Sequence, residues 1–220
     1  MLFQSAERLQ AEHQSGYPRL YSLQGFRYCD LLLALAGADT QGIGEVVERA
    51  EYDLDCWENH FTNGSILSFS LPKLTLARAH LQPALHPSTA GRGRGAEGKH
   101  ITQATDWLEK AVAGLRAASN QQFLPLGLLT RATLHRLTRN FPKAQQDLQE
   151  VLDIAEPSGM RLHLTDYHLE AARLAHAMGE AQETIQHHLQ AAAELIQQTG
   201  YHWRNGELAE LQKQLENHHE

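Results

Sequence analysis

The chain has 220 residues, of which 42% are hydrophobic and 20% charged, with a formal net charge of −7. That is enough chain to bury a sizeable core in one domain or two, and an acidic balance argues against general nucleic-acid binding, which relies on clustered positive charge. Its longest apolar run, Leu31 to Ala36, is far below the roughly 20 residues needed to span a bilayer, so no membrane role is expected.

The two cysteines, Cys29 and Cys56, have neither metal-site spacing nor the density of a disulfide scaffold, and both are expected as free thiols in a reducing compartment. Met1 to Arg8 lacks a basic stretch followed by an apolar core, so it does not read as a secretory signal. The expected location is the cytoplasm.

Apolar residues recur at steps of three and four, and no stretch sustains the two-residue alternation of a strand. The expected fold is all-α. Breakers set the helices, in chain order, at about 2–14, 18–36, 43–61, 66–82, 101–117, 122–138, 142–155, 161–178, 181–198 and 205–217, all within a single domain over 1–220. Pro72 falls inside the fourth, where a missing N–H predicts a kink or a restart. Between the fourth and fifth, residues 84–100 hold four glycines, Gly91, Gly93, Gly95 and Gly98, and read as a flexible loop. Its two Arg-Gly pairs lack the aromatic neighbours that RNA contact favours.

Short turns between helices of this length make antiparallel hairpins, and small residues mark where the helices approach. Ala144, Leu148 and Val151 form one such series, with Ala132 and His135 in the helix before it. Ala104, Leu108 and Ala111 repeat it after Ala77 and His80, and Gly25 with Tyr28 and Ala172 with Gly179 echo it. With Asn140 and Phe141 in the turn, the pattern resembles the tetratricopeptide repeat, an ideal unit of about 34 residues. Here the small first-helix residues fall at 25, 77, 132 and 172, steps of 52, 55 and 40, so the match is looser in the first half. The resemblance implies a right-handed α-solenoid.

Three longer phrases, Leu20 to Leu33, Leu74 to His80, and Gly159 to Leu174 with Gly200 to His202, resemble the C-terminal repeat arrays of large bacterial multidomain proteins, often found behind a signalling NTPase module of the NACHT type. That resemblance implies a sensor or scaffold. The chain itself carries no Gly-x-x-x-x-Gly-Lys-Ser/Thr loop, and the pair Gly42 and Gly44 follows no strand. Phe3 and Ala6 match second-helix positions of a repeat whose first helix would precede Met1, which suggests a piece of a longer protein. Leu2, Phe3 and Leu9 would then offer an apolar face for homo-oligomer formation.

In tetratricopeptide arrays the first helix of each hairpin lines the concave groove. The resemblance places Phe26 and Cys29, Arg78 and Leu81, Thr133 and Arg136, and Arg173 and His176 at groove positions. Arg78, Arg136, Arg173 and His176 are the candidate partner-binding residues, because guanidinium donors suit carboxylates. Those carboxylates are either an acidic protein or peptide partner, or neighbours such as Glu170 and Asp166. The Lys and Asn clamp of the chaperone-binding members is missing from these positions, which disfavours that partner class.

No catalytic residue or cofactor site is read from the sequence. A Gly-x-Ser-x-Gly elbow is absent, and the cysteines lie within predicted helices without a motif-bearing histidine. Among the 14 histidines, His163 and His168 are five apart, roughly 140° around a helix, which is wrong for ligands on one face. His176, His187 and His188 complete that group, and a metal site would have to be assembled between hairpins. Trp57, Trp107 and Trp203 read as packing residues. The expected function is therefore a non-enzymatic protein-binding module, with a sensor arm or a self-assembling scaffold as alternatives.

Overall fold

Helix-forming residues at steps of three and four dominate the chain, and a computed structural model, which describes residues 2–60, 64–86 and 94–216, is all-α. Among the described residues there are no strands and ten α-helices. They are α1 (Leu2–His13), α2 (Ser22–Ala36), α3 (Thr40–Asp55), α4 (Ile66–Leu85), α5 (Arg94–Ala117), α6 (Leu124–Leu137), α7 (Phe141–Ala155), α8 (Arg161–Met178), α9 (Gln182–Thr199) and α10 (Asn205–Glu216). A π-helical turn, Cys56–His60, continues α3, and a short 3-10 turn, His202–Arg204, leads into α10. Consecutive helices pack as hairpins, α2 on α3, α4 on α5, α6 on α7 and α8 on α9. The chain divides into two compact units, Met1–Asn120 and Gln121–Glu220.

In the first unit, local chemistry moves two helix starts from their expected places. Asp39 accepts hydrogen bonds from the Gln41 and Gly42 N–H groups, and this cap starts α3 at Thr40 rather than 43. Helix α2 begins at Ser22 rather than 18, with Ser22 at φ 56° and its N–H held by the buried Asp53 carboxylate of α3. Packing keeps α4 helical past both Pro72 and Pro83, so of the kink or restart expected at Pro72 the restart does not occur. Leu71, Leu74 and Leu76 are fully buried there, each contributing about 1.5–3 kcal/mol of burial, enough to offset a lost hydrogen bond.

Helix α5 begins at Arg94, seven residues before the expected 101, so the predicted loop over 84–100 is helical in its last part; residues 87–93 lie outside the described ones. Glycine costs a helix only about 1 kcal/mol, and His100 of this extension packs against His80 of α4. Among the described residues, two clusters help to hold the unit together. One joins Cys29 and Leu33 to Ile43, Val46 and Ala79, and the other joins Ala50 and Leu54 to Leu76.

In the second unit Pro125 and Pro142 sit in the first turns of α6 and α7, where no intrahelical N–H bond is lost. Gly179 and Gly200 end α8 and α9 in the left-handed conformation, each at φ 71°, which other residues rarely adopt. The small residues lie where helices meet: Ala132, Ala144, Val151 and Ala172 are fully buried. A core cluster of Leu169, Ala172, Ala175, Ile185, Leu189, Ala192, Ile196, Leu208 and Leu211 joins α8, α9 and α10. Helix α8 packs on α6 and α7 as well as on α9 and α10, so it is the centre of the unit.

Candidate protein-interaction face

The first helices of the hairpins in the second unit, together with α10, carry a continuous run of alternating charge. Arg136 of α6 donates to both carboxylate oxygens of Glu170 on α8, at 2.7 and 3.3 Å. Glu170 also lies 3.7 Å from Arg173, one turn on. Arg173 donates across to Glu207 of α10 at 2.6 Å. Glu207 is shared with Arg204 at 2.6 Å, and Arg204 returns to Asp166 of α8 at 2.8 Å. Three arginines and three carboxylates thus alternate from α6 through α8 to α10.

The run is partly sheltered. The Glu170 side chain is 6% exposed, Arg136 15% and Arg173 25%. Two of its carboxylates, Glu207 and Asp166, respond differently to that shelter. At Glu207 the two guanidiniums of Arg204 and Arg173 outweigh a large burial penalty and hold the carboxyl below its usual range. At Asp166 burial wins over Arg204, and the carboxyl is pushed up. Within the α6–α7 hairpin, Arg131 donates to both oxygens of the buried Asp147, at 2.9 and 2.7 Å, which ties the helices at a fixed register.

In the first unit the corresponding candidate, Arg78 of α4, donates to Asp30 of α2 at 2.6 Å and lies over the Phe26 ring at 5.6 Å. Arg49 of α3 makes a second tie: two hydrogen bonds to Glu7 of α1, one to Glu45, and a stack on Tyr28.

The sequence-derived candidates therefore have unequal fates. Arg78, Arg136 and Arg173 are all partnered by carboxylates of neighbouring helices, and Glu170 is among the partners expected for them. His176 is exposed in the last turn of α8. Phe26, Cys29 and Leu81 are buried at 2%, 5% and 1% exposure, so those three positions form core instead of groove, in the part of the chain where the spacing departs furthest from 34 residues. Thr133 is half-buried and bonds back to Leu129 within α6. Arg204 and Glu207 were not singled out by sequence; the available signal was that the Arg136 and Glu170 spacing of 34 recurs in Arg173 and Glu207.

The apolar N-terminal face is divided as well. Phe3 stacks on Tyr28, with ring centres 5.0 Å apart, whereas Leu2 and Leu9 are 89% and 53% exposed. Burial raises both thiols, that of Cys29 to about 12. Among the described residues no group of three or more His, Cys, Asp and Glu side chains is placed to hold a metal ion, and no helix is long and apolar enough to cross a membrane. Comparison with protein-family models, curated proteins and solved structures finds no match.

Proposed function

We propose that this chain is a non-enzymatic protein-interaction module of tetratricopeptide-like hairpins, working in a reducing compartment such as the cytoplasm and holding a protein or peptide segment along α6, α8 and α10. The observation that carries this reading is the alternating run from Arg136 to Asp166. Its Arg136–Glu170 and Arg173–Glu207 ties share a separation of 34 residues, the length of the ideal repeat. Side chains already fixed by their neighbours lose little conformational freedom when a partner docks, so the face is preorganised. Arg136 gives two of its five N–H donors to Glu170, and the other donors suit the carboxylates or carbonyls of a bound segment.

Capture from a lysate of the source organism tests the reading. The parent is compared with a variant carrying Arg136→Glu and Glu170→Arg, which keeps a pair and reverses its direction. A partner identified by mass spectrometry, held by the parent and lost by the still-helical variant, is the expected outcome. Equal capture by both places binding away from this face, and the absence of any partner counts against the module.

A self-assembling scaffold is the second reading, favoured by the exposure of Leu2 and Leu9 on α1. Sedimentation velocity across a concentration series distinguishes it: association abolished by Leu2→Gln with Leu9→Gln supports the scaffold, and a monomer at all concentrations removes it.

A further inference from the structure

Two histidine pairs lie outside the charged run, and they are built alike. His168 of α8 and His188 of α9 bring their Nδ1 atoms to 3.0 Å. His80 of α4 and His100 of α5 bring theirs to 3.4 Å. In both, the partners are 20 residues apart and belong to the two helices of one hairpin. The four rings are half-buried. Tyr167 lies edge-on to both His168 and His188, and the exposed His187 ring is 5.5 Å from that of His188.

We propose that each pair is a two-imidazole site for a late first-row divalent metal ion, Ni2+, Cu2+ or Zn2+, completed by water. Imidazole nitrogen suits these ions. With metal–nitrogen bonds of about 2.0–2.1 Å, a 3.0 Å separation subtends roughly 90–95° at the metal, as in square-planar or octahedral coordination. The 3.4 Å separation subtends roughly 110°, close to tetrahedral. Both angles lie within the range that these ions accept. In each pair the packing of the hairpin already brings one nitrogen from each helix within reach of a single ion.

Burial and the neighbouring imidazoles lower His168 to about 4 and hold His188 and His80 below the ordinary value. Without metal, one Nδ1–H donates to the other Nδ1. Coordination replaces that shared proton: the donor ring moves its proton to Nε2 and both Nδ1 lone pairs bind the ion, so the exchange is balanced within the pair.

The test is calorimetric titration of the full chain with NiCl2, CuCl2 and ZnCl2 at pH 7.5 in a non-chelating buffer, on a background carrying His218→Gln and His219→Gln so that the terminal pair is silent. Binding at the His168 pair should weaken about tenfold or more in His168→Gln or His188→Gln and persist in His187→Gln. Binding at the other pair should be lost in His80→Gln. A titration unchanged by these substitutions, or loss only in His187→Gln, overturns the assignment. Cu2+ broadening of the histidine ring signals in the unsubstituted rings of that background reads the same site without relying on a variant's fold. Selective broadening of His168 and His188 is expected, and broadening confined to other rings overturns it.

Discussion

Arg136 grips both oxygens of Glu170 across the step from α6 to α8, with only 6% of the Glu170 side chain exposed. Glu170 is approached by a second cation, Arg173, so its removal takes the carboxylate from Arg136 and leaves Arg173 with Glu207 alone. Glu170→Ala is expected to lower the unfolding free energy by about 3 kcal/mol, in the range for breaking a sheltered pair. Arg136→Met should cost less, because Arg173 still lies beside the carboxylate. Urea unfolding of both variants checks the order, and equal costs would show that the Arg173 contact carries no energy.

At Glu207 the shift fixes the sign of a pH effect. Arg204 and Arg173 lower its folded pKa below the ordinary 4.5 despite burial. The stabilisation is therefore present above pH 4.5 and disappears as pH falls through the lower folded value. Glu207→Gln should cost about 2 kcal/mol at pH 7, the scale of hydrogen bonds to charged groups. The difference from the parent should shrink on acidification toward pH 3. Thermal unfolding of both proteins between pH 7 and pH 3 measures it, and a constant gap would remove the charge from the explanation.

Much of the fold was legible because packing leaves a period. Ala104, Leu108 and Ala111, and likewise Ala144, Leu148 and Val151, stand at helical steps, and all six are buried. Charge pairing leaves no such period. Glu170 was readable as a neighbour of the arginines, but Arg204 and Glu207 emerge only once α10 is folded against α8. The histidine pairs were hidden for the same reason: His163 and His168 invite comparison along one helix, whereas His168 finds its partner on the next. The extension of α5 to Arg94 was hidden by its glycines, and the His80–His100 contact that accompanies it joins residues 20 apart on two helices.

Asp53 gives a pH dependence of the opposite sign. Burial raises it from 3.8 to about 7, against the hydrogen bond from the Ser22 N–H. A folded pKa above the unfolded one means that protonation favours folding, so this contribution is full below pH 3.8 and is lost as pH rises through about 7. Asp53→Asn mimics the protonated acid. It should stabilise the protein by about 1–3 kcal/mol above pH 7, with each pKa unit worth roughly 1.4 kcal/mol, and match the parent near pH 4. Chemical unfolding at pH 8 and pH 4 tests this, and a variant less stable at both would show that the Ser22 contact needs the charge.

Both cysteines should be inert in the native protein. Cys29 and Cys56 are 5% and 3% exposed, and burial raises the Cys29 thiol to about 12. The reactive thiolate is therefore both scarce and covered. Iodoacetamide at pH 8 should leave both unmodified in buffer and alkylate both in urea, as read by intact mass. Rapid native labelling of Cys29 would mean that the α2–α3 contact opens readily.

A tight contact between α4 and α5 supplies the most local prediction. A Cβ placed on Gly114 would lie 2.2 Å from the Ser70 Oγ and 3.2 Å from its Cβ. Ser70 is itself buried, and its hydroxyl donates to the Ile66 carbonyl at 2.7 Å, so it is not free to swing away. Gly114→Ala gains up to about 1 kcal/mol of helix propensity. Forcing the helices apart costs about 1–3 kcal/mol, and a net loss of stability is expected. Ser70→Ala removes the clashing oxygen and leaves a contact that a shift of a few tenths of an ångström relieves. The double variant should therefore be more stable than Gly114→Ala alone, a coupling that a double-mutant cycle reads directly. Strict additivity would show that the helices separate elsewhere.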